Sequence, residues 1–191
     1  MSFVENMNIF AQSLLDPKDK NFGRNWFITI VVCVVCIYVV SLAFKGPPKF
    51  KTVKLFFDEK KTECLHIAEI EIKDKDGKII DLNNHVIELS SQYTGDGVDM
   101  TTAKKMIDKD PKTYAHTLCG TGESITITFK EPQFISAIKI TNRSDGNSAR
   151  IVGASLSLQP VDGSKLLIKQ IEKDQAVFEF EHKEGVLSLK A

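Results

Sequence analysis

The sequence predicts a mainly β protein, an antiparallel β-sandwich that follows one N-terminal transmembrane helix. One observation is a run of 19 residues from Trp26 to Phe44 that contains no charged side chain. The other is a series of short segments after about residue 65 in which apolar and polar residues alternate. This period of two is typical of strands that bury one face, whereas an amphipathic helix repeats every 3.6 residues.

The N-terminal tail, residues 1–25, carries the pattern of a short amphipathic helix. Its apolar residues at helical spacing are Phe3, Met7, Phe10 and Leu14. Asp16-Pro17 ends this pattern, because proline cannot continue a helix interior. Such a stripe suits a helix on a bilayer surface or against a partner, and a frayed tail is the alternative interpretation.

The uncharged run over 26–44 has the length of a membrane span. As a helix it would extend about 28 Å, close to the thickness of the hydrocarbon core. A buried soluble helix is the alternative, but such helices rarely lack a polar face over five turns. A cleaved signal peptide fits less well, because the run begins only after 25 residues and is longer than an ordinary signal core.

Residues 45–64 are expected to form a basic linker. Gly46-Pro47-Pro48 predicts a stiff exit from the membrane, and the lysines that follow suit anionic headgroups. Three basic residues precede the span and six lysines follow it up to residue 61. Positive charge accumulates on the cytosolic side, so the C-terminal domain is expected there. Cys64 and Cys119 could form one bridge, but they do not make a disulfide framework.

The sandwich is expected over 65–191, and its alternating segments follow one another with turns such as Asp76-Gly77 and Asp162-Gly163 between them. A single short helix is predicted near Thr101 to Ile107. The segments that alternate most regularly are Ile70–Ile72, Ile125–Phe129, Ile138–Ile140, Val152–Leu158, Ala176–Glu181 and Val186–Leu189.

Composition excludes some function classes. The 25 basic and 25 acidic side chains cancel, which argues against a protein that wraps nucleic acid. The sequence contains no phosphate-binding glycine loop, nucleophile elbow or zinc-protease motif, and we expect no enzymatic activity. The sequon Asn142-Arg143-Ser144 matters only if the domain reaches a secretory lumen.

The most informative pattern is a set of donors at fixed spacing. His116 is followed after 26 residues by Arg143-x-Asp145, and Arg150 follows after four further residues. Imidazole and guanidinium groups donate hydrogen bonds to sugar hydroxyls, and Asp145 could hold one arginine in place. The alternative is an ion-pair network that organises the loop without any ligand.

The block from Met106 to Leu158 resembles discoidin-like domains, also called galactose-binding-like or factor V/VIII C-type domains, and is most similar to the F-type fucose-binding lectins. The resemblance implies a jelly-roll sandwich whose sugar-binding residues would be His116, Arg143, Asp145 and Arg150. It also implies calcium at Asp108, Asp110 and Thr113, with Glu179 or Glu181 completing that site. Two positions differ from the family pattern: Gly146-Asn147 replaces adjacent half-cystines, and Lys105 replaces the asparagine that opens the calcium loop.

Two functions of different classes follow. The first is a non-enzymatic, membrane-anchored structural or assembly protein whose sandwich binds other structural proteins. By analogy with small discoidin-like domains behind one transmembrane helix, it would be a minor capsid protein that links an internal virion membrane to the shell. The second is a membrane-anchored, calcium-assisted lectin for fucose or a related sugar.

Overall fold

The computed structural model describes residues 3–43, 46–95 and 102–190, and the chain divides into two compact units, residues 1–46 and 47–191. The first unit contains two helices, α1 (Phe3–Leu15) and α2 (Phe22–Ala43). Within the described residues, one stretch, Phe22–Val40 of α2, is long and apolar enough to cross a membrane. The helix begins four residues before the predicted span, whose last residue lies outside the described part.

The second unit is built from eleven strands in the part of the chain that the structure describes. They are β1 (Lys49–Phe56), β2 (Thr62–Ile67), β3 (Glu69–Lys73), β4 (Val86–Leu89), β5 (Ala115–Thr121), β6 (Ser124–Phe134), β7 (Ala137–Thr141), β8 (Ser155–Pro160), β9 (Leu167–Gln170), β10 (Val177–Lys183) and β11 (Val186–Leu189). In place of the helix predicted near Thr101 to Ile107, a short 3₁₀ turn covers Ala103–Ile107, and Thr101 is not among the described residues.

The strands form three antiparallel sheets, which confirms the predicted fold class. Five strands pair in the order β4-β6-β1-β8-β9, four in the order β11-β10-β7-β3, and β2 pairs with β5. Side chains from the two larger sheets share one apolar core, which includes Leu55 of β1, Ile72 of β3 and Phe178 of β10. The predicted alternation of buried and more exposed residues is clearest in β3, where Ile70 and Ile72 are buried and their charged neighbours are not.

The prediction of a basic linker over 45–64 is wrong for most of its length. Lys49–Phe56 is β1, the central strand of the five-stranded sheet, and it buries Phe50, Val53 and Leu55. A register irregularity between Phe50 and Thr52 interrupts the alternation, so a period of two does not extend through the strand. Lys49, Lys51 and Lys54 lie on this strand of the sandwich instead of along an extended stalk.

Candidate functional site

The structure brings together the four residues of the predicted sugar signature, His116, Arg143, Asp145 and Arg150. His116 is on β5, and the other three are in the segment 142–154 between β7 and β8, which we call the clamp loop. The loop is joined to the β2–β5 pair by His66, whose Nε2 lies 3.1 Å from the carbonyl oxygen of Asn147. His116 and the three clamp-loop residues, which follow it by 27 or more positions in the chain, therefore meet at one place on the sandwich.

This place lies at the end of the sandwich opposite to the point where the chain enters it. β1 begins shortly after Pro47 and pairs antiparallel with β8, so that Phe50 is opposite Pro160 and Phe56 is opposite Ser155. Ser155 follows the clamp loop directly. Eight strand residues separate the two ends by about 26 Å.

Arg143 is the centre of a closed arrangement that we call the arginine clamp, formed by Arg143, Asp145 and Tyr114. The guanidinium binds the Asp145 carboxylate through two nitrogens, with Nε 2.6 Å from Oδ1. Its carbon lies 4.2 Å from the centre of the Tyr114 ring, and Nη2 donates to the tyrosine hydroxyl at 3.3 Å. Only 7% of the Arg143 side chain is exposed, and the hydrogen bonds from it lower the pKa of Asp145. The clamp thus satisfies most of its own donors.

Two histidines are packed behind the clamp. The rings of His66 and His116 stack with centres 5.2 Å apart, and the Tyr93 ring centre lies 4.8 Å from that of His116 with the two rings tilted. Burial first, then the charge of Arg143, lowers the pKa of His66 to about 3. Burial also lowers the pKa of His116. Both rings are therefore neutral near neutral pH, and a proton on either would be buried beside guanidinium groups.

Arg150 lies at the outer edge of the cluster. Its Nη1 is 3.4 Å from Sγ of Cys64, and its Nε is 3.8 Å from the Glu63 carboxylate. Cys64 forms a disulfide with Cys119, directly across the β2–β5 pair. With 40% of its side chain exposed, Arg150 is much more accessible than Arg143. This loosely paired cation therefore faces outward beside a disulfide.

The best-formed groove of the described residues does not include the cluster. This groove of about 770 Å³ lies along β3 and is lined by residues such as Ile79, Ile107 and Val177. None of the signature residues lines this groove. On the outward side of the clamp loop, Ser144, Asp145, Gly146 and Ala149 are exposed.

In the predicted calcium loop, the carboxylates accept hydrogen bonds from groups of the loop itself. One Asp108 oxygen accepts the backbone N–H of Asp110, the other accepts the Thr113 hydroxyl, and the Lys105 ammonium lies 3.4 Å away. Asp110 in turn accepts the backbone N–H of Lys112. Within the described residues, no three histidine, cysteine or acidic side chains are grouped as metal ligands. Calcium takes six to eight oxygens, and here the carboxylates serve the loop itself.

The carboxylate that approaches this loop is Glu69, which the sequence analysis missed. Burial first and then the negative charge of Asp108 raise the pKa of Glu69 to about 7. The two glutamates that the resemblance suggested lie on β10, where Glu181 is ion-paired with Lys190 at 2.6 Å. No spacing rule connects residue 69 with residue 108, because the contact is made by tertiary packing.

The glycosylation sequon is inside the folded domain. Asn142 is 3% exposed, and its amide nitrogen donates to the Ser148 carbonyl, the Asp174 carboxylate and the Gln175 carbonyl. An oligosaccharide at Asn142 would break all three hydrogen bonds. The residue instead fixes the start of the clamp loop.

No family model, curated protein or solved structure matches the chain. The discoidin-like assignment therefore stays a prediction. The structure supports the coarser description, antiparallel sheets around one core in a chain whose N-terminal unit includes an apolar helix.

Proposed function

We propose that this chain is a non-enzymatic, single-pass membrane protein with an assembly role, whose sandwich binds another structural protein through the clamp loop. The observation that carries the proposal is the closed arginine clamp. Arg143 and His116 are buried and directed at other side chains of the domain, which leaves the loop rigid and its outer side exposed. A preorganised loop loses little conformational entropy on binding, which favours protein recognition.

The position of the loop supports the same proposal. It lies at the end of the sandwich that the chain from the anchor does not enter, about one strand length away. Arg150 adds an accessible guanidinium, a group that is enriched at protein interfaces. In the setting that the resemblance suggests, a virion with an internal membrane, the partner would be a shell protein.

We place the sandwich on the cytosolic side of the membrane. Six lysines follow α2 within a short distance, against three basic residues before it, and this asymmetry acts during insertion. The Cys64–Cys119 disulfide is more typical of oxidising compartments. Cys64 is 1% exposed but Cys119 is exposed, so thiols in solution can reach the bridge from one side, and the cytosolic placement rests on the lysine asymmetry alone.

Assembly tests the proposal directly. In cells that build the native particle or membrane complex, Arg150→Glu should reduce incorporation of the protein while membrane insertion stays unchanged. Lys165→Glu is the matched control, because Lys165 is exposed on the β8–β9 connection at the other end of the sandwich. Equal incorporation of both variants would contradict the proposal.

A second candidate function is the lectin, and one observation favours it: His116, Arg143, Asp145 and Arg150 are clustered although they are separated in sequence. A glycan array probed with the full chain in detergent, with and without calcium, tests this function. Binding of a fucose-type sugar that Arg150→Ala abolishes would establish the lectin. Absence of binding to any sugar would remove it.

A further inference from the structure

The two helices of the N-terminal unit are fastened together at the turn between them. The Asn25 side-chain amide donates to the Ser13 hydroxyl, and both residues are buried although nearly all their neighbours are exposed. The indole N–H of Trp26 donates to the carbonyl oxygen of Leu14 at 2.9 Å. That carbonyl is in the last turn of α1, where carbonyls have no donor within the helix. We call these two contacts the helix clasp.

Beyond the clasp, α1 does not follow α2. All side chains from residue 6 to residue 12 are exposed, whereas a helix lying alongside α2 would have one covered face. The two helices therefore diverge from the turn at residues 16–21. A helix of 13 residues is about 20 Å long, so α1 extends well away from the start of α2.

The uncovered part of α1 includes its apolar side. At 100° per residue, one arc collects the apolar positions Phe3, Val4, Met7, Phe10, Ala11, Leu14 and Leu15. The opposite arc includes Glu5 and Gln12 with one apolar residue, Ile9, and Ser13 also lies on the polar side. Asn8 lies at the border, next to Leu15. The clasp thus leaves the apolar arc free, and Met7 and Leu15 are 57% and 83% exposed.

We propose that α1 is an interfacial helix that lies in the headgroup region of the bilayer that α2 crosses, with its apolar arc toward the acyl chains. The inference rests on α2 as a membrane span. If α2 is in the hydrocarbon, the clasp holds α1 at the same membrane surface, where an amphipathic helix buries its apolar arc. Glu5 is the only charged residue of α1, so burial of its apolar arc, rather than attraction to anionic lipid, drives its insertion.

The single tryptophan of the chain makes the test direct. The full chain is reconstituted at one copy per phosphatidylcholine nanodisc, with and without bromine-labelled acyl chains that quench nearby indoles. Phe10→Trp in a Trp26→Phe background reports on the apolar arc, and Gln12→Trp in the same background is the matched control on the polar arc. Both variants lose the same indole hydrogen bond, so they differ only in the face of α1 that is probed.

We expect blue-shifted, strongly quenched emission from the indole at position 10 and water-like, weakly quenched emission from the indole at position 12. Adding phosphatidylserine should change neither signal. Water-like emission at both positions, quenching at both, or a blue shift at position 10 without quenching would each overturn the interfacial helix. Val35→Trp in the Trp26→Phe background places an indole near the middle of α2, and its strong quenching tests the span separately, so failure of the span and failure of α1 are distinguishable.

Discussion

At the scale of single residues, the candidate site depends on groups whose partners lie inside the domain. Arg143 has a buried guanidinium with a carboxylate and an aromatic ring as its partners, and His66 and His116 are buried as neutral rings. Such groups have a structural effect whether or not a ligand binds, because removing one partner leaves a buried polar group or charge unsatisfied. Substitutions within the clamp should therefore change stability first.

Asp145→Asn should lower the free energy of unfolding by about 1–3 kcal/mol, because the buried Arg143 guanidinium loses its charged partner while Asp145 itself is half exposed. Chemical denaturation of the full chain in detergent measures this change. Glu172→Gln is the control, since the exposed Glu172 lies 3.7 Å from Lys169 and should contribute less than about 0.5 kcal/mol. Equal effects of the two substitutions would show that the clamp is not structural.

Glu69 predicts a pH dependence. Its pKa is about 7 in the folded protein and 4.5 as the ordinary value, so the folded state loses stability as the pH rises through this interval. Glu69→Gln removes the loss. The variant should gain stability relative to the unmodified protein by about 1 kcal/mol between about pH 5 and pH 8.5, a figure reduced for partial exposure.

Denaturation at several pH values checks this difference, and common contributions such as the buried His66 cancel in it. Glu71→Gln is the matched control. Glu71 lies two residues after Glu69 on the same face of β3, and it is ion-paired with Lys139 at 2.9 Å. A stability difference for Glu69→Gln that is constant with pH would contradict the raised pKa.

At the scale of elements, the sequence predicted those strands whose alternation is regular, such as β3, β7 and β10. It missed β1, where an irregular register and three lysines resemble a basic linker. It also missed β2, β4, β5 and β9, of which β4 and β9 have only four residues each. The site followed the same division: spacing identified the loop arginines, but His66, Tyr114 and Glu69 reach their partners through strand pairing and packing that spacing does not encode.

The β2–β5 pair is an element held by the Cys64–Cys119 disulfide, which closes 55 residues of chain. Replacing both cysteines by serine should lower the free energy of unfolding by about 2–4 kcal/mol, since the bridge restricts the unfolded chain. Thermal unfolding of the full chain measures the loss. Cys33→Ser with Cys36→Ser is the control, because both residues are free cysteines of α2. A reducing agent that leaves the unfolding temperature unchanged would show that the bridge is not formed.

The loop from Asp108 to Thr113 gives a prediction about calcium. Its carboxylates accept hydrogen bonds within the loop and the Lys105 ammonium is 3.4 Å from Asp108, so millimolar calcium should not raise the unfolding temperature. Magnesium at equal concentration serves as the control for ionic strength. A rise that calcium alone produces and that Asp108→Asn abolishes would restore a calcium site at this loop.

At the scale of the whole molecule, the chain combines a unit with one helix suited to a membrane and a sandwich of antiparallel sheets. The order of residues along the chain could predict this division, because it contains a long uncharged run and, after it, segments in which apolar and polar residues alternate. The partner could not be predicted, since recognition depends on the exposed side of the clamp loop and on what the native assembly presents to it. The proposed function places that partner at the end of the sandwich opposite Pro47.

Site-specific photocrosslinking in the native assembly tests this placement most directly. A photoreactive residue is introduced at Ala149, which is exposed on the clamp loop, or at Lys165, which is exposed near the opposite end. We expect the probe at Ala149 to crosslink to one discrete structural protein, and the probe at Lys165 to give no such product. Crosslinking only at Lys165, or at neither position, would contradict a protein-binding role for the clamp loop.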